Sequence, residues 1–544
     1  MPTITYDKND LLNLIGNKMS DEQLEETIHL MKTNIESENE SEITIELTPD
    51  RPDLFGIEGL ARAVKQYLGI ETGLKKYSIK PASVNIRASD ISYRNHIGAA
   101  VIRNVNVNDA FIKSLMNIQD VLTDTIGRKR KKVAIGIHDL DKIVPHFSYI
   151  EVDKNEKIIP LDQESEMSLS EIIERLPKGK EYGHILSGQE KYPVFTDARG
   201  IFSFPPIINS EKTRVTENTK NLLVELTGTD KDAVSQTLNI IVTNFADRGA
   251  TIEAVKIFRG EKFESTPNLS PSTIDVEFSE IEKWSGVSFH KEDVFELLKR
   301  MGYDSVENKG KITIYIPPYR NDILHPIDVI EDIIISYGFN NFTPELPSLA
   351  TIGSSHPVEK TSSKFRELLV GFGYQEIIRP LMTNPRELFD RMNVKRERII
   401  ELENPVSEDY TCLRNWLLPD LMKMMSTNKH VEYPQDIFQV GDVVVHDENE
   451  ETMSRTVRKA AALIAHSKTN YSEVKATVES LLKQIGMKYT FKDSNLSHMI
   501  EGRQAIVLVN NKEIGYIGEI NPVVLENYGI EMPCTAFELS LDSI

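Results

Sequence analysis

Residues 264–273, ESTPNLSPST, gather Ser, Thr and Pro without helical or strand periodicity and break a 544-residue chain near its middle. One hydrophobic core cannot serve such a length, because single cores stop growing at about 250–300 residues. Roughly three to five domains are therefore expected. The hydrophobic patterning between the breaks mixes both periods, so the fold class is α+β multidomain. Residues 1–78 read as an N-terminal α/β module. Ser20-x-x-Gln23 is a capping box opening a helix over 20–31, Ile43, Ile45 and Leu47 alternate as a strand, and a turn at 48–52 leads into a helix carrying Ile57, Leu60, Ala61, Val64 and Leu68. Residues 83–264 read as an α+β domain, with AAVIRNV and IIVTNF as strands and DAFIKSLMNIQDVLTDTI as a helix. A small α+β unit at 272–346 has strands STIDVEF and KITIYIP around the helix KEDVFELLKRMGY, and 350–544 has helices at 358–372 and 472–485 with several strands.

Charge and cysteine content narrow the function classes. A formal net charge of −20 argues against a general nucleic-acid coat, while leaving room for local basic patches. Cys412 and Cys534 stand far apart without metal-ligand spacing, so neither a disulfide framework nor a structural zinc site is expected and a reducing compartment fits. The acidic start lacks the apolar core of a signal peptide, and no run of eighteen apolar residues occurs. The expectation is a cytoplasmic protein that does not enter membranes.

Three constellations hold chemistry. In YRNDILHPIDVIEDI, Pro326 suits the first position of a helix, which places Asp328 in the first turn and Asp328, Glu331 and Asp332 on one face, with Asp322 in the preceding loop. Four clustered carboxylates repel one another unless a cation sits among them, and a hard divalent ion such as Mg²⁺ meets that need. Complementing the helix N-terminus is the other reading, and it accounts for Asp328 better than for the rest. Residues 192–230 bring Ser203, Asn209 and Ser210 before a strand-like NLLVELTGTD bearing Glu225 and Thr227. No nucleophile elbow is present, so these residues read as a binding site or as a plain hairpin. Arg128 to Lys132 form a basic run that suits a phosphate backbone or a solvated loop, and His138 reads as structural. The last unit, with Arg414 as its notable cation, lacks phosphate-holding elements near its end and reads as a packed scaffold.

Taken in order, ELTPDRPDLFGIEGLAR, SFPPIINS with ELTGTD, PPYRNDILHPIDVIEDI and LENPVSEDYTCLRNWLLPDL resemble the β subunit of phenylalanyl-tRNA synthetase in its archaeal and eukaryotic form. The resemblance covers nearly the whole chain, and the end near residue 544 without an obvious appended anticodon-binding domain is similar to the archaeal type. It implies a Mg²⁺ site at Asp322, Asp328, Glu331 and Asp332, near the contact with a catalytic α subunit and structural in role. It implies that 83–264 is a tRNA-binding and editing domain hydrolysing tyrosine misattached to tRNA(Phe), with Glu225 meeting the phenol and Ser203, Asn209 and Thr227 orienting the ester or a water. It also implies that 350–544 is a class II synthetase-like antiparallel sheet with helices that has lost its chemistry. YQEIIRP resembles the dimerisation motif and LRNWLLP a degenerate second motif. ATP is then used on the α subunit of an (αβ)₂ heterotetramer. The alternatives are a free-standing tRNA-binding or editing protein and a purely structural assembly subunit.

Overall fold

The computed structural model describes residues 2–16 and 19–543 and divides into two compact units, 1–345 and 346–544. The architecture is mixed α/β with several sheets. Among the described residues no helix is long and apolar enough to cross a membrane, and Cys412 and Cys534 are free and buried.

In the first unit, Thr3–Asp7, Glu42–Glu46 and Asn34–Glu38 form a three-stranded antiparallel sheet with Glu42–Glu46 at its centre. Ile43 and Ile45 turn inward, as their alternation requires. The capping box at Ser20 opens the helix Asp21–Leu30, and the turn Pro52–Phe55 delivers the chain into the helix Ile57–Tyr67.

The largest sheet has ten strands. From one edge it runs Ile208–Asn209, Gly200–Phe204, Lys191–Asp197, Phe147–Asp153, Ile79–Ala88, Thr251–Arg259, His96–Arg103, Asn221–Gly228 and, at the other edge, Val133–Asp139, with Lys262–Thr266 added as a hairpin arm on Thr251–Arg259. The helix Lys231–Asp247 covers one face. This helix corrects the expected strand IIVTNF. Asp230 caps it by accepting from Ala233 N at 3.1 Å, and Ile240, Ile241, Val242 and Phe245 are all buried. Each such burial stabilises by about 1.5–3 kcal/mol, whereas β-branched residues lose at most about 0.7 kcal/mol of helix propensity, so packing wins.

The small sheet Ser272–Glu277, Lys311–Ile316 and Asp304–Asn308 packs with the helices Phe278–Ser285, Lys291–Arg300 and Pro326–Tyr337. One continuous apolar core runs from Ile4 to Ile335 and joins the N-terminal sheet, the helix-covered face of the large sheet and the small sheet, while the other face of the large sheet packs a separate core around Ile86, Phe147, Phe195 and Phe202.

The second unit is a seven-stranded sheet. Only the first pair, Gln375–Glu376 with Gln435–His446, is parallel. Ser454–Ala465, Cys534–Ser540, Lys512–Ile520, Met499–Val509 and Tyr489–Asp493 continue it antiparallel. The helices Pro357–Gly371 and Tyr471–Gln484 bury one core against it, and Leu418–Thr427 and Pro522–Tyr528 bury a second.

Candidate functional site

Glu225 sits in the middle of Asn221–Gly228, flanked on both sides by paired strands, and is 1% exposed. Directly across the ladder stands Gly136, where a Cβ would approach Glu225 Oε1 to 2.2 Å. The missing side chain is what admits the carboxylate. Ser203 Oγ donates to Glu225 Oε1 at 2.8 Å, and Asn209 Oδ1 lies 3.4 Å from the same hydroxyl. Asn209 is the half-buried member of this group.

His138, on the strand beside Glu225, is fully buried. Its Nδ1 lies 2.8 Å from the Thr213 hydroxyl, which also reaches Ser210 O at 3.2 Å, and its Nε2 lies 3.6 Å from Glu225 Oε1. Both His138 Nε2 and Glu225 Oε2 are buried without a hydrogen-bond partner. Such orphaned groups are costly unless something completes them.

Thr227 lies two residues along the same strand but is turned to Arg94. Its hydroxyl accepts from Arg94 Nε at 2.8 Å and its carbonyl from Nη2 at 2.7 Å. Burial pushes the Arg94 guanidinium down to about 10. The structure therefore brings Glu225, Ser203 and Asn209 together and sets Thr227 beside them in a separate bonding group. His138, Gly136 and Arg94 belong to this neighbourhood as well. His138 was visible in the sequence, but its partners lie 75 and 87 residues away along the chain, where no local pattern points to them.

The acids of residues 322–332 border a cavity of about 220 Å³ together with Lys32, Asp50 and Arg51. Asp328 folds back on the helix start, accepting from Leu324 N at 2.8 Å and His325 N at 2.7 Å, as the capping reading expects. Asp322 takes a bidentate pair of bonds from Arg320, at 2.8 and 2.6 Å. Burial opposes ionisation there, yet the Arg320 guanidinium holds the Asp322 carboxyl below its usual range. Asp332 accepts from Arg320 Nη2 at 2.7 Å and from the Tyr303 hydroxyl. Glu331 pairs with Lys32 at 2.6 Å.

The donor set is of the oxygen-only kind that Mg²⁺ prefers, and five carboxylates face two cations along the cavity wall. Their arrangement is another matter. Among the described residues no three Asp, Glu, His or Cys side chains converge so as to hold a metal ion, because Arg320 stands between Asp322 and Asp332 and Lys32 draws Glu331 aside.

The basic run divides. Arg130 turns inward, donating to Ile207 O at 2.8 Å with its guanidinium 4.2 Å from the Tyr182 ring centroid, and Lys132 pairs with Asp230 at 2.8 Å. Arg128, Lys129 and Lys131 remain exposed. In the second unit Arg414 is spent internally, on Asp420 at 2.7 Å and Asp442 O at 2.9 Å.

Comparison with known proteins adds an independent observation. Family models match residues 100–248 as a B3/4 domain, residues 274–339 as a tRNA synthetase B5 domain and residues 343–541 as a phenylalanyl tRNA synthetase beta chain CLM domain. The phenylalanine–tRNA ligase beta subunit of Methanocaldococcus jannaschii is 40% identical over 549 residues, covering 100% of both chains. That of Pyrococcus abyssi is 39% identical over 99% of each, and that of Archaeoglobus fulgidus 37% identical over 100% of this chain and 98% of its own. A crystal structure of an N-terminal fragment of the Pyrococcus horikoshii phenylalanyl-tRNA synthetase beta subunit is 36% identical with a TM-score of 0.60, covering 62% of this chain and 99% of the fragment.

Proposed function

The chain belongs to the family of phenylalanine–tRNA ligase beta subunits, and from that premise we propose that it works with a catalytic α subunit in an (αβ)₂ heterotetramer, binding tRNA(Phe) and clearing it of misattached tyrosine. The holoenzyme attaches phenylalanine to its tRNA at the expense of ATP, in the cytoplasm, with activation on the α subunit. The antiparallel sheet of residues 346–544 supports a class II-like module without chemistry, since Arg414 is bound to Asp420 and backbone carbonyls and is withheld from any substrate.

Glu225 Oε2, a buried acceptor without a hydrogen-bond partner, carries the editing proposal. A pocket built for an apolar ring rejects an added hydroxyl only about 100-fold, so the ligase needs a second site that selects the hydroxyl. A buried acceptor does this: a tyrosine phenol donates to Glu225 and relieves its unmet capacity, whereas a phenylalanine ring leaves the acceptor unsatisfied. Ser203 holds the other carboxylate oxygen and fixes its direction. Asn209, at the half-buried rim, is placed to orient the ester or an attacking water, and Thr227, with Arg94, props the end of the strand.

Single-turnover hydrolysis of tyrosyl-tRNA(Phe) by the assembled enzyme tests this reading. Glu225→Gln is expected to slow deacylation at least tenfold while leaving phenylalanylation intact, and an unchanged rate removes Glu225 from the role. The closed burial of Glu225, Ser203 and His138 favours a second reading, a purely structural subunit, which predicts no deacylation even in the wild type.

Mg²⁺ binding at Asp322, Asp328, Glu331 and Asp332 is a proposal of the same reading. It is supported by the excess of carboxylates along that cavity and requires Arg320 and Lys32 to yield.

A further inference from the structure

The strand His96–Arg103 pairs with Thr251–Arg259 only as far as Ala100 opposite Ala254, and from Val255 onward Lys262–Thr266 takes its place. The two partners fork at Thr266, whose hydroxyl accepts from Ala99 N at 3.0 Å and donates to Ala99 O at 2.7 Å. Beyond this apex the fork opens into a cleft of about 560 Å³, floored by the first turns of the helix Lys231–Asp247. Strand alternation turns the Ile97 backbone N–H and C=O to the same side as those of Ala99, into the cleft. Gly98 faces Val234 and Leu238 of the helix, so the cleft floor lies on the helix-covered face of the sheet, opposite the face that carries Glu225.

The charged side chains that line the cleft count one more cation than anion, against the net charge of −20 of the whole chain. His96, Lys231, Arg259 and Lys262 line it against Asp232 and Glu264, and Lys231 pairs with Glu264 at 2.9 Å. On the hairpin arm Phe263 is 56% exposed, yet its ring is held 5.4 Å from that of Phe258 and 5.1 Å from Lys256 Nζ. A scattered exposed phenylalanine needs no explanation. One that is held against a neighbouring ring and Lys256 and set in the wall of this cleft has the makings of a stacking platform for a nucleobase, with Lys256 and Lys262 on the same hairpin for the adjoining phosphates.

We propose that this fork holds a single-stranded segment of tRNA, with one base stacked on Phe263 and the flanking phosphates met by Lys256 and Lys262. The inference rests on the reading of the chain as a tRNA ligase subunit and gives it an RNA contact separate from the Glu225 cluster.

The test measures the Kd of the assembled enzyme for transcribed tRNA(Phe) over a salt series. Phe263→Ala is expected to weaken binding about tenfold while Phe263→Tyr preserves it. Lys262→Glu should weaken binding and flatten the dependence of log Kd on log salt concentration, because one phosphate contact is lost. Both side chains are exposed on the arm, so melting temperatures should match the wild type, and Lys262→Glu carries the test even if Phe263→Ala perturbs the hairpin. Wild-type binding with Kd unchanged in Phe263→Ala and Lys262→Glu overturns this inference alone. A wild-type enzyme that binds no tRNA overturns it together with the functional reading beneath it. Variants that bind tRNA normally but lose affinity for the α subunit assign the cleft to a protein partner and overturn it as well.

Discussion

At the scale of single residues, the Glu225 cluster depends on one absent side chain. Gly136 gives up a Cβ so that a carboxylate can lie across the ladder, and a methyl there would also come within 2.9 Å of His138 Nε2. Gly136→Ala is expected to destabilise the chain by about 1–3 kcal/mol through overpacking and to abolish deacylation of tyrosyl-tRNA(Phe), with the stability loss read from denaturant unfolding. A fully active and equally stable variant would show that the strands move apart easily at this point. Glu225 and Ser203 could be named from ELTGTD and SFPPIINS by resemblance. The part played by Gly136 could not, since a glycine in a strand signals close approach without saying what approaches.

At the scale of elements, the helix Pro326–Tyr337 shows how a local pattern and a distant partner divide the work. Its start follows from sequence: Pro326 at the first position, His325 as cap and Asp328 returning to the backbone. Its anchoring comes from Arg320, which joins Asp322 in the loop to Asp332 on the helix. Because the folded state depresses the Asp322 carboxyl below its ordinary value of 3.8, its contribution to stability is fully present above that value and is lost as pH falls through the lower folded one. Acid titration of Asp322→Asn against the wild type is therefore expected to show a stability gap at neutral pH that closes below about pH 4. A gap that persists unchanged into stronger acid would mean that the Asp322 charge is not what holds the helix. The helix Lys231–Asp247 marks where element-level reading fails. IIVTNF has strand composition, and only the burial of all its sides, which a six-residue window cannot reveal, makes it helical.

At the scale of the whole molecule, the first unit builds its acidic cavity from distant parts of the chain: Lys32 and Arg51 from the N-terminal module face Asp322, Glu331 and Asp332 from the helix end of the unit. If Mg²⁺ occupies this cavity in the assembled enzyme, chelation by EDTA should lower its melting temperature by several degrees, and restored Mg²⁺ should return it. Asp328→Asn and Glu331→Gln should remove that response. A melting temperature indifferent to EDTA would leave Arg320, Lys32 and Arg51 as the counter-charges of the four acids.

The sequence by itself determined the class of the fold, several of its helices and strands and its family, because period, caps and motif order are local properties carried by neighbouring residues. It also set out the two acid-bearing stretches as candidate sites. Only the tertiary structure decided which groups surround those acids. It placed His138 and Gly136 against Glu225, turned Thr227 to Arg94 and put Arg320 among the carboxylates. The reason is physical: the state and role of a buried charge are set by the groups within a few ångströms of it, and the chain brings those groups from far along its length.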